Sequence, residues 1–344
     1  MVKVGYAALR EKRMDYLYFD IECCDGNHIC SFGYVLADEK FCIARKDDIL
    51  MDPKMPFKLG RDNFDPSVKL AYTEDEFRRH APFNKVYPKI RELLSAPARR
   101  ILGHSVASDI KYLNTACERY GLPKIDIIAY DTQKIYKQVA RDKDMSKLES
   151  IMEKLSVDIS HLAAHKSCDD AEMTMLAVKA MCERNACSAE QLLSAHANCV
   201  VDREKMAIAE LDSKVNKAIK NLKRYYKESR DWERFRLSDG FKLLYADKLE
   251  RLTEYIFRAG YALTVNGARF DYYVAGNKTA DDEIPEEVKI IGTSEFLKMI
   301  NVQITDDGEL KVGDDDGSAN AFKRFFEQAA TCSDKKIAHC KNRR

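Results

Sequence analysis

The sequence predicts an α/β protein: a mixed sheet flanked by helices, then a helical linker, then a second, smaller α/β unit. Three observations predict it. An unbroken run at residues 16–22, Tyr-Leu-Tyr-Phe-Asp-Ile-Glu, has the composition of a central strand buried on both faces. From residue 84 onward, segments with apolar residues at three- and four-residue spacing alternate with short apolar runs, the pattern of helices covering a sheet. At 344 residues the chain is long for one core, so two domains are expected.

Taken in order, residues 28–38 and 40–46 read as second and third strands that form an antiparallel meander with the first, joined by a turn at Asp38-Glu39. Residues 52–64 carry Pro53, Pro56 and Gly60 and read as loop. Val86, Ile90 and Leu93 mark a helix over 84–94, and 99–103 is a short strand. Ile110, Leu113, Ala116 and Cys117 then recur at helical spacing as far as Gly121 and Pro123, which puts Asp109 in the first turn of that helix. Residues 125–132 read as another strand and 147–155 as a helix. A further helix runs through Met173, Leu176, Ala177 and Ala180 and is opened by His165-Lys-Ser-Cys-Asp-Asp. His165 and Asp170 are too far round a helix to share a face, so His165 belongs to the preceding loop and Asp170 to the first turn.

Beyond residue 185 the character changes. Ser188 with Gln191 forms a capping box. Residues 203–236 are charge-dense and lack Gly and Pro, and a seam of Ala207, Leu211, Val215, Ala218, Leu222 and Tyr225 predicts one long linker helix. Beside it run Lys214, Lys217, Lys220, Lys223, Arg224, Lys227 and Arg230, near Tyr225, Tyr226 and Trp232. Such a stripe either tracks a phosphate backbone or is a solvated face balanced by Glu228, Asp231 and Glu233. In the second unit, 241–245, 261–265, 272–275 and 288–291 read as strands. Leu249, Leu252, Ile256 and Ala259 mark a helix ended by Gly260, and Ser294 caps a last one. From residue 303 the chain reads as a polar tail, acidic through Gly317, helical over 319–330, and basic and disordered over 335–344.

Composition removes several classes. With 57 basic and 56 acidic residues, a nucleic-acid surface must be local rather than global. Eleven cysteines without a Cys-x-x-Cys pair read as reduced thiols. Neither Cys182 with Cys187, nor Cys23, Cys24 and Cys30 with His28, has the spacing of a standard zinc site. Residues 1–14 hold no apolar signal region and no run reaches membrane-spanning length, so a cytoplasmic protein without a membrane partner is expected.

The chemistry is concentrated in the acids. Asp20 and Glu22 interrupt an apolar strand and, two positions apart, point to the same face. Side by side and buried they repel, and a hard divalent cation held by carboxylate oxygens removes that cost. Taken singly each feature has a plainer account. The strand could end at Phe19 and leave both acids solvated, Asp109 could serve only the helix dipole, and His165 could be a surface residue. Their joint order on these elements is what departs from chance.

Phe19-Asp20-Ile21-Glu22, Gly103-His104-Ser105 through Asp109, and His165 through Asp170-Ala171 resemble the three motifs of the DEDDh, or DnaQ-like (polymerase III epsilon-type), 3′–5′ exonucleases. Ala81-Pro82-Phe83 and Ser146-Lys147-Leu148 are similar to that family as well, and the likeness spans residues 14–185. It implies an RNase H-like fold and a phosphodiester hydrolase using two divalent ions, Mg²⁺ or Mn²⁺. Asp20, Glu22, Asp109 and Asp170 match the metal-binding carboxylates, with Asp20 bridging the ions, and His165 matches the general base. Cys23 stands where the family usually has Thr, and Ser108 where it usually has Phe. With His104 and Ser105 these are the expected substrate contacts. Residues 237–302, with Tyr-Tyr-Val-Ala-Gly at 272–276 and Val-Lys-Ile-Ile-Gly-Thr-Ser-Glu-Phe-Leu at 288–297, resemble a BRCT domain, which implies docking to a protein partner or a DNA end. Ala246-Asp247, where phosphate-binding members carry Thr/Ser-Gly, implies no phosphopeptide affinity.

The expected organisation is therefore an exonuclease domain over 1–185, a basic helical linker over 186–236, a BRCT-like domain over 237–302 and a tail over 303–344. The expected substrate is nucleic acid with a free 3′ end, DNA before RNA, in repair or replication. The alternatives are a catalytically idle scaffold that binds nucleic acid or protein, and an oligoribonuclease-like RNA exonuclease.

Overall fold

The computed structural model describes residues 15–58, 69–224, 231–265, 269–276 and 284–312. It divides into two compact units, Met1–Met206 and Ala207–Arg344.

In the first unit β1 (Tyr16–Cys23), β2 (Ile29–Ala37) and β3 (Ile43–Leu50) form the expected antiparallel meander. A short α1 (Glu74–Arg78), closed by a Thr73/Glu76 capping box, precedes α2 (Phe83–Leu94). Next come β4 (Arg100–Gly103), α3 (Val106–Arg119), β5 (Ala129–Asp131), α4 (Thr132–Ala140), α5 (Leu148–Leu155) and α6 (Ser167–Arg184). The capping box predicted at Ser188 opens α7 (Ala189–Ala195), after which β6 (Val200–Val201) returns to the sheet. The sheet order is β3-β2-β1-β4-β5-β6, with β1, β4 and β5 parallel and the other pairings antiparallel. This is the mixed sheet expected. Because β6 pairs with β5, the sheet continues past residue 185, and the unit with it.

Alternation along β1 assigns its two faces. Leu17, Phe19 and Ile21 pack with Ile90 of α2 and Ile110 and Leu113 of α3, while Tyr16 and Tyr18 pack with Ile151 of α5 and Met175 and Val178 of α6. Asp20 and Glu22 continue the face of Tyr16 and Tyr18, so the pleat aims both at α6. The strand does not end at Phe19. It runs on to Cys23 with Asp20 paired opposite Gly33 and Glu22 opposite Ser31.

Two elements differ from expectation here. The strand expected over 125–132 shortens to three residues, with Ile125 and Ile127 buried but outside the ladder. Residues 132–140 are helical because the Asp131 side chain accepts hydrogen bonds from the amides of Gln133 and Lys134 and so caps α4.

The linker helix is shorter than predicted. In sequence α8 (Arg203–Leu222) crosses the boundary between the units, and its Leu211, Val215 and Ile219 lie in the core of the second. There β7 (Arg234–Leu237), α9 (Asp239–Leu244), α10 (Leu249–Arg258), β8 (Ala262–Thr264), β9 (Tyr272–Ala275), β10 (Lys289–Gly292) and α11 (Thr293–Met299) follow. All pairings in this sheet, ordered β10-β9-β7-β8, are parallel. A hairpin of β11 (Val302–Ile304) and β12 (Leu310–Val312) occupies what reads as the start of the polar tail. The Asp307-Gly308 turn, with Gly308 at φ 79°, closes it. The segments expected to be helical (319–330) and disordered (335–344) lie outside the described residues.

Residues 241–245, expected as a strand, are instead mostly helix. The Ser238 hydroxyl accepts from the Phe241 amide and starts α9, and Phe241 then stacks on Tyr245 one turn on at 4.6 Å. A short apolar run does not distinguish strand from helix, and here the cap decides. The true first strand, Arg-Phe-Arg-Leu, alternates charged and apolar residues. Accordingly it is Ser238-Asp239-Gly240, not Ala246-Asp247, that follows the first strand. The ground given above for excluding phosphopeptides therefore falls. The Ser238 hydroxyl also receives the Gly276 amide, and Lys242 is held by Asp212 and Asp239. Similarly Gly292, not Ser294, is the N-cap of α11.

Candidate active site

The sheet order reverses between β1 and β4, since the chain runs outward to β2 and β3 before crossing back. In open α/β sheets the crevice beyond the carboxyl ends of the strands at such a reversal is where ligands bind. Asp20 and Glu22 lie at the carboxyl end of β1. From the end of β4, Gly103-His104-Ser105 turns into α3, with Ser105 left-handed at φ 56° as N-cap and its amide donating to Asp131 Oδ1 at 3.2 Å. That tight entry puts Asp109 in the first turn of α3. Asp109 is 5 % exposed and its Oδ2 is buried without a hydrogen-bond partner among the described residues.

Asp170 comes from α6, whose first turn lies directly on β2. Ser31 and Ser167 hydroxyls bond to each other across this contact. No side chain of its own caps α6. Asp48, on β3, accepts from the Cys168 amide at 2.7 Å and from the Ser167 hydroxyl at 3.0 Å, and is itself held by the Tyr72 hydroxyl at 2.7 Å. A carboxylate supplied by a neighbouring strand thus fixes the helix start that carries Asp170. Lys46, also on β3, pairs with Asp169 and Glu172 of the same helix. Asp169 in turn receives the Ala163 amide at 3.0 Å, tethering the loop that ends in His165, which sits at φ 59°.

These tethers bring Glu22, His165 and Asp170 to within 4.8 Å of one another, with His165 Nδ1 at 3.3 Å from Glu22 Oε1. Burial pushes the Asp20 carboxyl well above the usual range, and the charges of Asp109, Glu22 and Asp170 push it further. Asp109 is raised well above its ordinary value by burial and by Glu22, against a hydrogen bond from the Ile21 amide. Asp170 is pushed up to about 7 by burial and Glu22, with His165 acting in the opposite direction. Asp20, Asp109 and Asp170, each made harder to ionise by the charge of Glu22, form with it a site built for a cation. An oxygen-rich set with one imidazole at its edge and an unpartnered carboxylate oxygen fits a hard divalent ion.

The remaining expected contacts are placed as follows. Ser108 is exposed on α3 and Ser105 caps it. Cys23 is 6 % exposed and belongs to the core cluster under β1. His104 is largely buried, which pulls its pKa down to about 4 and keeps it neutral.

Three residues near the site are not singled out by the sequence. Tyr112 stands three residues after Asp109 on α3, half-buried, in the field of Cys23, Asp109, Glu22 and Asp20. Glu149, exposed at the start of α5, adds its charge at both His165 and Asp170. Asp48 has no motif around it. Of the three, only Tyr112 had a legible signal, its helical spacing from Asp109.

Residues 79–181 match the family described as DEDDh_C, DNA polymerase III subunit epsilon-like, C-terminal domain. The matched stretch lies within the first unit. The matched region contains Asp109, His165 and Asp170; Asp20 and Glu22 precede it and are joined to them by the sheet. Among solved structures the chain is similar to the nuclease domain of 3′hExo, a DEDDh family member, bound to rAMP. The identity is 19 %, the alignment covers 52 % of this chain and 95 % of that one, and the TM-score is 0.43. It is also similar to E. coli exonuclease I in complex with a dA16 oligonucleotide, at 14 % identity over 53 % of this chain and 43 % of that one, TM-score 0.40. A search of curated proteins finds no match. Among the described residues no helix is long and apolar enough to cross a membrane.

The titration of the cluster sets a measurable linkage. As pH rises through the interval between the ordinary carboxyl value and about 7, the unfolded chain releases a proton that folded Asp170 retains, so the metal-free fold loses stability over that window. A bound divalent ion removes the penalty. Mg²⁺ or Mn²⁺ is therefore expected to raise the melting temperature more at pH 8 than at pH 5, by scanning calorimetry against an EDTA control. A shift that is equal at the two pH values, or larger at pH 5, would count against an ion among these acids.

Proposed function

We propose that this protein is a metal-dependent 3′–5′ exonuclease that releases nucleoside 5′-monophosphates from the free 3′ end of nucleic acid, DNA in preference to RNA, in repair or replication. The observation that carries the reading is the convergence of Glu22, His165 and Asp170 within 4.8 Å, beside Asp20 and Asp109. Asp20, Glu22, Asp109 and Asp170 would hold two Mg²⁺ or Mn²⁺ ions, which when bound polarise the phosphodiester and make a nucleophile available at neutral pH.

His165 is the base in this scheme. Its Nδ1 faces Glu22 Oε1, so with the proton on Nδ1 donated to Glu22, Nε2 keeps its lone pair. The ring is 36 % exposed, open to arriving water and strand. The hydrogen bond to Glu22 raises the His165 pKa, ahead of the opposing effect of burial, so the neutral base forms at higher pH than for an ordinary histidine. Turnover should therefore climb with pH along an acid limb that belongs to His165. His165→Ala is expected to lower turnover by ~10²–10⁴ and to flatten that limb. The measurement is release of nucleotides from 5′-labelled single-stranded DNA and RNA with Mg²⁺ or Mn²⁺, against EDTA. Absence of metal-dependent shortening of both strands would end the exonuclease reading, and an unchanged limb in His165→Ala would end the base assignment.

The second unit is proposed as a BRCT-like module that docks the nuclease to a protein partner or DNA end. Its all-parallel sheet, with the order βααβββα from β7 to α11 among the described residues, supports that reading. The preference for DNA rests on this module and on no feature of the active site.

A further inference from the structure

The basic stripe read from the sequence has two accounts, and the structure separates them. Two of the acids that would neutralise it, Asp231 and Glu233, are not on the helix: α8 ends at Leu222 and they follow at the approach to β7, while Glu228, Lys227 and Arg230 lie outside the described residues. Glu233 accepts from the Tyr272 hydroxyl at 3.2 Å, within the second unit. Between Leu211 and Arg224 the one acidic residue is Asp212, drawn toward the core by Lys242 Nζ at 2.8 Å. The apolar seam Leu211, Val215 and Ile219 is buried, with Leu222 packed against the same core. The opposite face exposes Lys214, Lys217 and Lys220, spaced by Ser213, Asn216 and Asn221, and Lys223 and Arg224 are exposed in the turn that follows Leu222. Lys214 is engaged with Glu210 one turn back.

We propose that this face of α8 binds the phosphodiester backbone of a nucleic acid, by charge and without reading base sequence. The inference rests on the proposed activity for its partner, since the ligand is that activity's substrate. Cations from Lys217 to Arg224 fall within about 10 Å along the helix direction with no acidic partner among the described residues, and charge so arranged releases counterions from a polyanion. Trp232, which the sequence placed beside the stripe as a stacking platform, packs instead against Phe257 with ring centroids 6.3 Å apart. Tyr225 and Tyr226 lie outside the described residues, and the described part of the surface is electrostatic, tolerant of sequence and sensitive to salt.

The test uses the full chain. Binding of a fluorescein-labelled single-stranded oligonucleotide is followed by anisotropy in EDTA, so that no hydrolysis occurs, across a salt series. Lys217→Glu/Lys220→Glu/Lys223→Glu is expected to weaken binding tenfold or more, and to flatten the slope of log K against log salt by roughly 2, about 0.7 per lost phosphate contact. Lys217→Gln/Lys220→Gln/Lys223→Gln should move both in the same direction by less, and it serves as the readout should the Glu variant fail to fold. Hydrolysis of the p-nitrophenyl ester of thymidine 5′-phosphate with Mn²⁺ reads the acid cluster without a strand and should be unchanged in the Gln triple. If the unaltered protein hydrolyses neither ester nor strand, the nuclease reading fails, while the binding measurement in EDTA still decides this one. The proposal is overturned if the Gln triple binds with the affinity and salt slope of the unaltered chain. It is equally overturned if Lys289→Gln/Lys298→Gln/Lys311→Gln, exposed elsewhere on the second unit, weakens binding as much.

Discussion

Asp170→Asn is expected to abolish exonuclease turnover and, in EDTA, to raise the melting temperature. Both effects have one cause. Asp170 is buried, 8 % exposed, and its carboxyl is pushed up to about 7 because its charge is paid for against burial and Glu22. An amide of the same shape carries no charge, so the metal-free fold above neutral pH is relieved of repulsion. The same amide cannot supply an anionic oxygen to an ion. Loss of several kcal/mol of transition-state stabilisation corresponds to a fall on the order of 10³-fold or more. Asp20→Asn should behave alike, since Asp20 feels Asp109, Glu22 and Asp170 together. Turnover on a labelled strand with Mg²⁺ and melting by calorimetry in EDTA at pH 8 are the two readouts. Either variant retaining turnover within about tenfold of the parent would show that these acids do not form the catalytic cage.

Gly33→Ala is expected to cost about 3 kcal/mol of stability or more and to take activity with it. Gly33 sits on β2 opposite Asp20, where the first turn of α6 presses on the sheet. A methyl group there would stand 2.0 Å from the Ser167 carbonyl carbon and 2.1 Å from the Cys168 amide nitrogen. Both are backbone atoms, so no rotamer change relieves the overlap and the helix start must lift. Lifting it strains the bonds from Asp48 to Cys168 and Ser167 and moves Asp170 away from Glu22. Urea unfolding, with the midpoint lowered and the slope retained, would record the loss, and metal-dependent melting should lose its increment. A Gly33→Ala protein with parental stability and turnover would refute the close approach of α6 to β2 as the device that builds the site.

Much of this was legible in the chain. The buried strand at 16–23 announces itself because aromatic and aliphatic residues continue without interruption, and the two acids near its end are visible for the same reason. Asp109 and Asp170 were placed in first turns of helices by periodicity, with His165 in the loop before the second, and each is where predicted. The second unit was less legible. Arg-Phe-Arg-Leu is a strand through pairing with β8 and β9, whereas the more apolar Phe241 segment coils because Ser238 caps it. Local hydrophobicity pointed to the wrong one of the two. The role of Asp48 could not be read at all, since capping a helix more than a hundred residues away leaves no local pattern.

The amino-acid sequence by itself determined the inventory: carboxylates at the end of a strand or in the first turn of a helix, and an imidazole in the loop before one, in a fixed order. Those positions follow from periodicity and capping, which are short-range effects. Only the tertiary structure decided that the groups meet. Their meeting depends on the sheet order that sets β1 beside β4, on the absence of a side chain at Gly33 and on the Asp48 cap. Contacts between residues distant in sequence are set by packing, and packing is not a property of any one segment.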